Sequence, residues 1–99
     1  MEPASRPINI IKFTNARRQI IFVPSKHRTL LPVLQYLAAK FECARPYTER
    51  EATALLADWA CGPDPDVLRR LLIDHHLLGR TINGARYWRK AFDETYIIR

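Results

Sequence analysis

The chain has 99 residues with 16 Lys or Arg against 10 Asp or Glu, and its formal net charge of +6 favours a polyanionic partner. Its hydrophobic fraction of 47% is ordinary for a globular protein, and its length fits a single domain with a small core. The sequence lacks both the ~18 consecutive apolar residues of a membrane span and the apolar run of a secretory signal, so we expect a cytoplasmic protein.

Residues 1–24 are predicted to form an N-terminal β extension. The segment from Ile8 to Val23 is rich in β-branched residues and is interrupted by turn-forming residues at 14–18. This pattern favours a strand, a turn and a second strand that ends at Pro24. A short helix from Ile8 to Asn15 also fits, and this alternative stays open.

The first long helix is predicted over residues 29–41. Pro32 is tolerated there because it falls in the first turn, where its missing N–H has no helical acceptor. Apolar side chains recur at helical spacing and define one buried face, which consists of Leu30, Val33, Leu34, Leu37 and Phe41.

Two further helices have clear start signals. Thr48 and Glu51 fit a capping box, which stabilises a helix by about 1 kcal/mol, and Cys61-Gly62-Pro63 ends that helix. The third helix begins with Asp64 as the N-cap and Pro65 at the first position. The second helix is predicted to bury Ala52, Leu55, Leu56 and Trp59. The third is predicted to bury Leu68, Leu71, Leu72 and His75 and to expose Asp66, Arg69, Arg70 and Ile73.

A β-hairpin is predicted after Leu78, where the hydrophobic period changes to two. Residues 80–82 and 85–88 flank Asn83-Gly84, which favours a type I′ turn because both of its central positions need a positive φ. Trp88 is expected to pack on the core. Residues 95–98 are apolar enough to form a last strand that pairs with the first segment.

The order of these elements predicts an α+β fold of the winged helix-turn-helix type. Residues 25–90 would form its core, and residues 91–99 would form a tail or strand. In such folds the third helix enters the major groove of DNA and the hairpin, or wing, contacts the neighbouring backbone. Six cations in these two elements are the predicted nucleic-acid-binding residues: Arg69, Arg70, Arg80, Arg86, Arg89 and Lys90.

Four motifs within residues 23–90 resemble a bacterial domain of unknown function, number 2087, that occurs alone or joined to regulator-type helix-turn-helix domains. They are Tyr47-Thr48-Glu49-x-Glu51, Leu68-Arg69-Arg70-x-Leu72-Ile73-Asp74, Leu77-Leu78-x-Arg80 and Gly84-x-x-Tyr87-Trp88-Arg89. The resemblance implies a winged-helix fold, a role in transcriptional regulation and no described activity. The chain departs from the family pattern at His76, where glycine is usual, and at Thr53, where asparagine is usual. If position 76 is left-handed, histidine costs roughly 1 kcal/mol relative to glycine.

Two other binding functions stay open beside DNA binding. One of them is RNA binding, and a continuous basic stripe along the third helix and the wing would support either nucleic acid. An apolar patch around Ile73 and Tyr96 would instead support a protein-interaction module. A homodimer is also expected, because the apolar ends Ile8 to Phe13 and Tyr96 to Ile98 present strand edges.

Neither an enzyme nor a cofactor or metal site is expected. The only serines, Ser5 and Ser25, lie in flexible or turn regions, and no pair of carboxylates has a defined spacing on one face. We expect the two thiols to be reduced and partly buried. The cysteines and histidines match no zinc spacing: they are Cys43, Cys61, His27, His75 and His76.

Overall fold

The structure is a computed structural model that describes residues 8–94 and 96–98. Strand β1 (Ile8–Asn9) pairs in parallel with β4 (Tyr96–Ile97), and β2 (Leu78–Arg80) pairs antiparallel with β3 (Tyr87–Arg89). The fold is therefore α+β, with three helices followed by a hairpin, as predicted. In chain order the elements are β1 (Ile8–Asn9), a 3-10 helix (Ile11–Phe13), α1 (His27–Ala38), α2 (Glu49–Trp59), α3 (Pro65–Asp74), β2 (Leu78–Arg80), β3 (Tyr87–Arg89) and β4 (Tyr96–Ile97).

The core lies where the three helices meet. Leu68 and Leu72 of α3 are fully buried, and they belong to the same cluster as Leu34 of α1 and Leu56 of α2. Each such side chain contributes about 1.5–3 kcal/mol relative to an exposed one. All five residues of the predicted buried face of α1 lie in this core. The position of α3 is therefore set by apolar burial on its inner side.

Helix α1 begins and ends earlier than predicted. The backbone carbonyl of Lys26 accepts hydrogen bonds from the N–H groups of Thr29 and Leu30, at 3.1 and 2.7 Å, so the helix starts at His27. Pro32 consequently lies inside the helix and not in its first turn. Its missing N–H removes the helical donor to the carbonyl of Arg28, an exposed position that water reaches.

The predicted caps of α2 and α3 are confirmed. Thr48 Oγ1 accepts the N–H of Glu51 at 3.1 Å, and the Glu51 carboxylate accepts the N–H of Thr48 at 2.9 Å. Asp64 caps α3 by accepting the N–H of Asp66 at 2.9 Å, with Pro65 at the first position. Such signals act within three residues, which is why the sequence alone revealed them.

The predicted strand pair at the N-terminus is present only in part. β1 is the only regular strand described there, and the pair is reduced to an antiparallel bridge of Thr14 with Ile20, while Ile20 also bridges in parallel to Ala60. The side chain of Asn9 accepts the N–H of Ile11 at 2.9 Å, which starts the 3-10 helix in place of a continued strand. The alternative of a short helix in this segment is therefore correct in part. The predicted pairing of the first and last segments is confirmed for β4, while Thr95 lies outside the described residues.

The hairpin turn differs from the predicted type I′ turn. Gly84 has a φ of 71°, whereas Asn83 is outside the left-handed region. The N–H of Gly84 donates to the carbonyl of Thr81 at 2.9 Å, and the Thr81 hydroxyl accepts the N–H of Ala85 at 2.9 Å. The loop is wider than two residues because the Thr81 side chain satisfies backbone donors of the loop.

Both cysteines are exposed, which corrects the expectation of partly buried thiols. Cys43 follows the end of α1, and Cys61 follows the end of α2. Both lie in connecting segments, which run over the surface of a protein.

His76 occupies the left-handed region that the family's glycine would suit, with a φ of 63°. We expect His76→Gly to raise the free energy of unfolding by roughly 1 kcal/mol, because glycine adopts this conformation without a steric penalty. Urea unfolding followed by circular dichroism measures the change. The control is His75→Gly, whose φ of −96° gives glycine no advantage, so that variant should lose stability. A destabilised His76→Gly protein would contradict the strain argument.

The capping box predicts a pH dependence of stability. The hydrogen bond from the Thr48 backbone holds the pKa of the Glu51 carboxyl below its ordinary value of 4.5, with nearby arginines adding to the effect. A lowered pKa in the folded state means that the contribution is complete above 4.5 and is lost as the pH falls below it. Glu51→Gln keeps an acceptor oxygen without the titration. Unfolding curves from about pH 6 to about pH 3 should therefore show the wild type losing its advantage over the variant, and a constant difference would be inconsistent with this cap.

Candidate nucleic-acid interface

Strand β3 is held on both of its edges. On one edge it pairs with β2, and on the other Tyr87 exchanges two backbone hydrogen bonds with Tyr47, each 2.7 Å long. Tyr47 lies between α1 and α2, and its ring packs edge-on against Phe41 at 4.9 Å. Its hydroxyl accepts the N–H of Glu42 at 2.8 Å. The hairpin is thereby attached to the helical core at a defined position.

The two faces of the hairpin carry different side chains. Directly paired residues of antiparallel strands share a face, so Arg80 lies with Tyr87 and Gly79 lies with Trp88. Tyr87 is buried, which makes its face the inner one, while Trp88 is on the outer face and 36% exposed. The prediction that Trp88 packs on the core is wrong, because the alternation places Tyr87 inside.

Three of the predicted arginines meet at one cleft between α3 and the inner face of the hairpin. We call it the α3–hairpin cleft. Its volume is about 290 Å³, and it is lined by Arg69, Arg70, Ile73, Asp74, Arg80 and Tyr87. Arg70 and Arg80 are exposed and contribute guanidinium groups from two different elements. The cleft thus joins the third helix and the hairpin, with Arg70 and Arg80 as its exposed cations and Asp74 as its carboxylate.

The prediction that Arg69 is exposed is wrong, because its side chain is held by contacts within the fold. It donates to Thr53 Oγ1 at 2.5 Å, and it pairs with Asp66 at 2.8 Å and Glu49 at 3.7 Å. Its side chain is 16% exposed, and its guanidinium lies 5.7 Å from the centre of the Tyr87 ring. Arg69 therefore joins α2, α3 and the hairpin, and its charge is already paired.

Arg89 is likewise engaged by the fold. Its Nη1 donates to the carbonyls of Ala39 and Phe41, both at 3.4 Å, and its Nη2 pairs with Glu94 at 3.6 Å. Cations stabilise helix C-terminal ends because the last carbonyls lack helical donors. Arg89 follows that rule at the end of α1. Its side chain is only 20% exposed.

The other four predicted cations are exposed: Arg70, Arg80, Arg86 and Lys90. No carboxylate within the described ranges lies within 4.0 Å of their charged groups. Arg86 donates to the neighbouring carbonyl of Ala85 at 2.8 Å, and its charge helps to lower the pKa of the Glu51 carboxyl. Of the six predicted cations, these four therefore have charged groups free of ion pairs among the described residues.

The apolar patch that would have supported a protein-interaction module is not formed around Ile73 and Tyr96, because both side chains pack against the core. Self-association stays a prediction, with β1 and β4 paired to each other. Among the described residues, no group of three His, Cys, Asp or Glu is placed to hold a metal ion. The large apolar side chains that are exposed are Ile11, Ile21, Phe22, Val67, Ile82 and Trp88.

The different surroundings of Arg69 and Arg70 predict different effects on stability. Arg69→Ala should lower the free energy of unfolding by about 1–2 kcal/mol, because it removes partly buried charged hydrogen bonds. Arg70→Ala is the matched control on the same helix and should change stability by less than about 0.5 kcal/mol. Urea unfolding of both variants measures this. Equal losses would show that Arg69 does not act as a bridge.

Comparison with known proteins identifies a family but no individual relative. A family model described as an uncharacterized protein conserved in bacteria, DUF2087, matches residues 19–89, which contain all three helices and the hairpin. No curated protein and no solved structure matches the chain significantly. No helix in the described ranges is long and apolar enough to cross a membrane. The chain therefore belongs to the bacterial DUF2087 family.

Proposed function

We propose that this chain is a winged-helix module that binds duplex DNA through α3 and the hairpin and acts in transcriptional regulation. The observation that carries the proposal is the α3–hairpin cleft, where Arg70 and Arg80 converge from the two elements that contact DNA in such modules. The order of the helices and the hairpin supports it. The pairing of Tyr47, which lies between α1 and α2, with β3 supports it as well, because it holds the hairpin at a defined position beside the helices.

The charge distribution of the hairpin suits a phosphate backbone. Residues 75–92 contain no acidic residue, so nothing within this segment opposes an approaching polyanion. Arg70 and Arg80 would bind phosphates at the cleft, with Arg86 and Lys90 on the flanking strand. Such contacts supply most of the sequence-independent affinity of a DNA-binding protein.

The solvent face of α3 is suited to base contacts. Its exposed positions follow helical spacing and consist of Asp66, Val67, Arg70 and Asp74. Arg70 has the length and fork geometry to donate to guanine in the major groove, and Val67, which is 48% exposed, offers an apolar contact for a thymine methyl group. Asp66 is neutralised by Arg69, which leaves Asp74 as the carboxylate that opposes phosphates.

The four free cations predict a steep salt dependence. If each neutralises one phosphate, log affinity should fall against log salt concentration with a slope of about −3.6, at about −0.9 per contact. Fluorescence anisotropy with labelled duplexes from about 50 to about 200 mM salt measures the slope. Failure to bind any duplex at low salt would overturn the proposal and favour a protein-interaction module, and preference for duplex RNA would favour the RNA alternative.

Charge variants assign the individual contacts. Arg86→Ala should weaken binding to all sequences and flatten the slope by about one unit, whereas Arg70→Ala should also relax sequence preference. Asp74→Asn should strengthen binding, because it removes the carboxylate from the cleft. Arg17→Ala, which removes one exposed charge from the N-terminal turn, is the control and should leave the slope unchanged. An Arg17 effect equal to that of Arg86 would indicate attraction by net charge alone.

A further inference from the structure

The outer face of β3 carries a cationic surface that shares Arg86 and Lys90 with the proposed duplex interface but includes no residue of the α3–hairpin cleft. Backbone hydrogen bonds extend the ladder at both ends of the strand, from Thr81 N–H to the Arg86 carbonyl and from Lys90 N–H to the Leu77 carbonyl, both at 3.0 Å. The two-residue alternation therefore holds from 86 to 90. Three exposed side chains share this outer face: Arg86, Trp88 and Lys90.

The Trp88 indole rests on the backbone of its paired residue. A Cβ atom at Gly79 would collide with the Cε2, Nε1 and Cζ2 atoms of the ring, so the indole lies directly over this glycine. One side of the ring is thus supported, while 36% of the side chain reaches solvent. This arrangement holds an aromatic ring flat on the surface in a fixed place.

The surroundings of the ring favour an anionic ligand with flat groups. Positions two residues apart in a strand are ~6.6 Å apart, so Arg86 and Lys90 lie on the two sides of Trp88, each at about this distance along the strand. Residues 75–92 contain no acidic residue, and the carboxylate that acts on this face is Glu51 of α2, whose pKa is lowered in part by Arg86. Aromatic side chains stack on nucleic-acid bases without regard to sequence, but a duplex keeps its bases inside the helix. A single strand, in contrast, can stack an unpaired base on the ring and place its phosphates beside the cations.

We propose that this outer face binds single-stranded nucleic acid, with a base stacked on Trp88 and the adjoining phosphates held by Arg86 and Lys90. The proposal goes beyond duplex binding and does not depend on it. Arg80 lies on the opposite face of the hairpin and Arg70 lies on α3, so neither takes part in it, and Trp88 takes no part in the α3–hairpin cleft.

Fluorescence tests the stacking directly. The chain has two tryptophans, so Trp59→Phe leaves Trp88 as the only indole, and phenylalanine keeps a ring beside Lys40 and Tyr36. An oligodeoxythymidylate of about ten nucleotides should quench this fluorescence, and the matching oligouridylate shows whether RNA is also bound. No quenching at low salt by either strand would overturn the proposal.

Substitution of the ring measures its contribution. Trp88→Ala should weaken binding of the oligonucleotide by between about fivefold and about 150-fold, the loss that one stacked base represents. Trp88→Phe should retain most of the affinity, whereas Trp88→Leu, which still covers Gly79 but cannot stack, should not. Comparison of Phe with Leu keeps the test valid if Trp88→Ala does not fold.

Two controls separate this proposal from duplex binding. Arg70→Ala should impair duplex binding and leave the single strand bound, and Trp88→Phe should leave duplex binding unchanged. Equal affinity of the Leu and Phe variants for the single strand would show that the cations alone attract it, and the stacking proposal would then be wrong.

Discussion

The pair of backbone hydrogen bonds between Tyr47 and Tyr87 is the constraint on which the other features depend. It occupies the free edge of β3, so the hairpin is joined to the segment between α1 and α2 and cannot swing as an isolated ribbon. Because Tyr87 is fixed, Arg80 is fixed beside α3, and Arg69 has a ring against which to lie. The junction thus helps to hold the hairpin side of the α3–hairpin cleft in place.

Local signals were sufficient to predict much of the fold, and distant contacts account for what was missed. The caps at Thr48 and Asp64 depend on residues within three positions, and both were predicted correctly. The position of Arg69 depends on Thr53, which belongs to another helix, and helical periodicity alone assigns it to the wrong face. The parallel pairing of β1 and β4 joins the two ends of the chain, so only the presence of both apolar segments could suggest it.

The candidate site shows why a cluster of basic residues in a sequence overstates a binding surface. Six cations fit the expected helix and hairpin equally well, yet Arg69 and Arg89 serve the fold, one as a bridge between elements and the other at a helix end. They differ from the remaining four because acceptors from other elements bind their guanidinium groups: Thr53 for Arg69, and the carbonyls of Ala39 and Phe41 for Arg89. The family match at 19–89 includes the five arginines and ends one residue before Lys90, so the division between structural and free arginines lies within the shared domain.

The contact between Gly79 and Trp88 restricts how this hairpin can change during evolution. Any side chain at position 79 would collide with the indole, and a smaller residue at position 88 would uncover the glycine backbone. Position 79 therefore cannot gain a side chain at low cost while the indole stays in place. Across the family, substitutions at the two positions are expected to occur together, with a larger residue at 79 accompanied by the loss of the aromatic ring at 88.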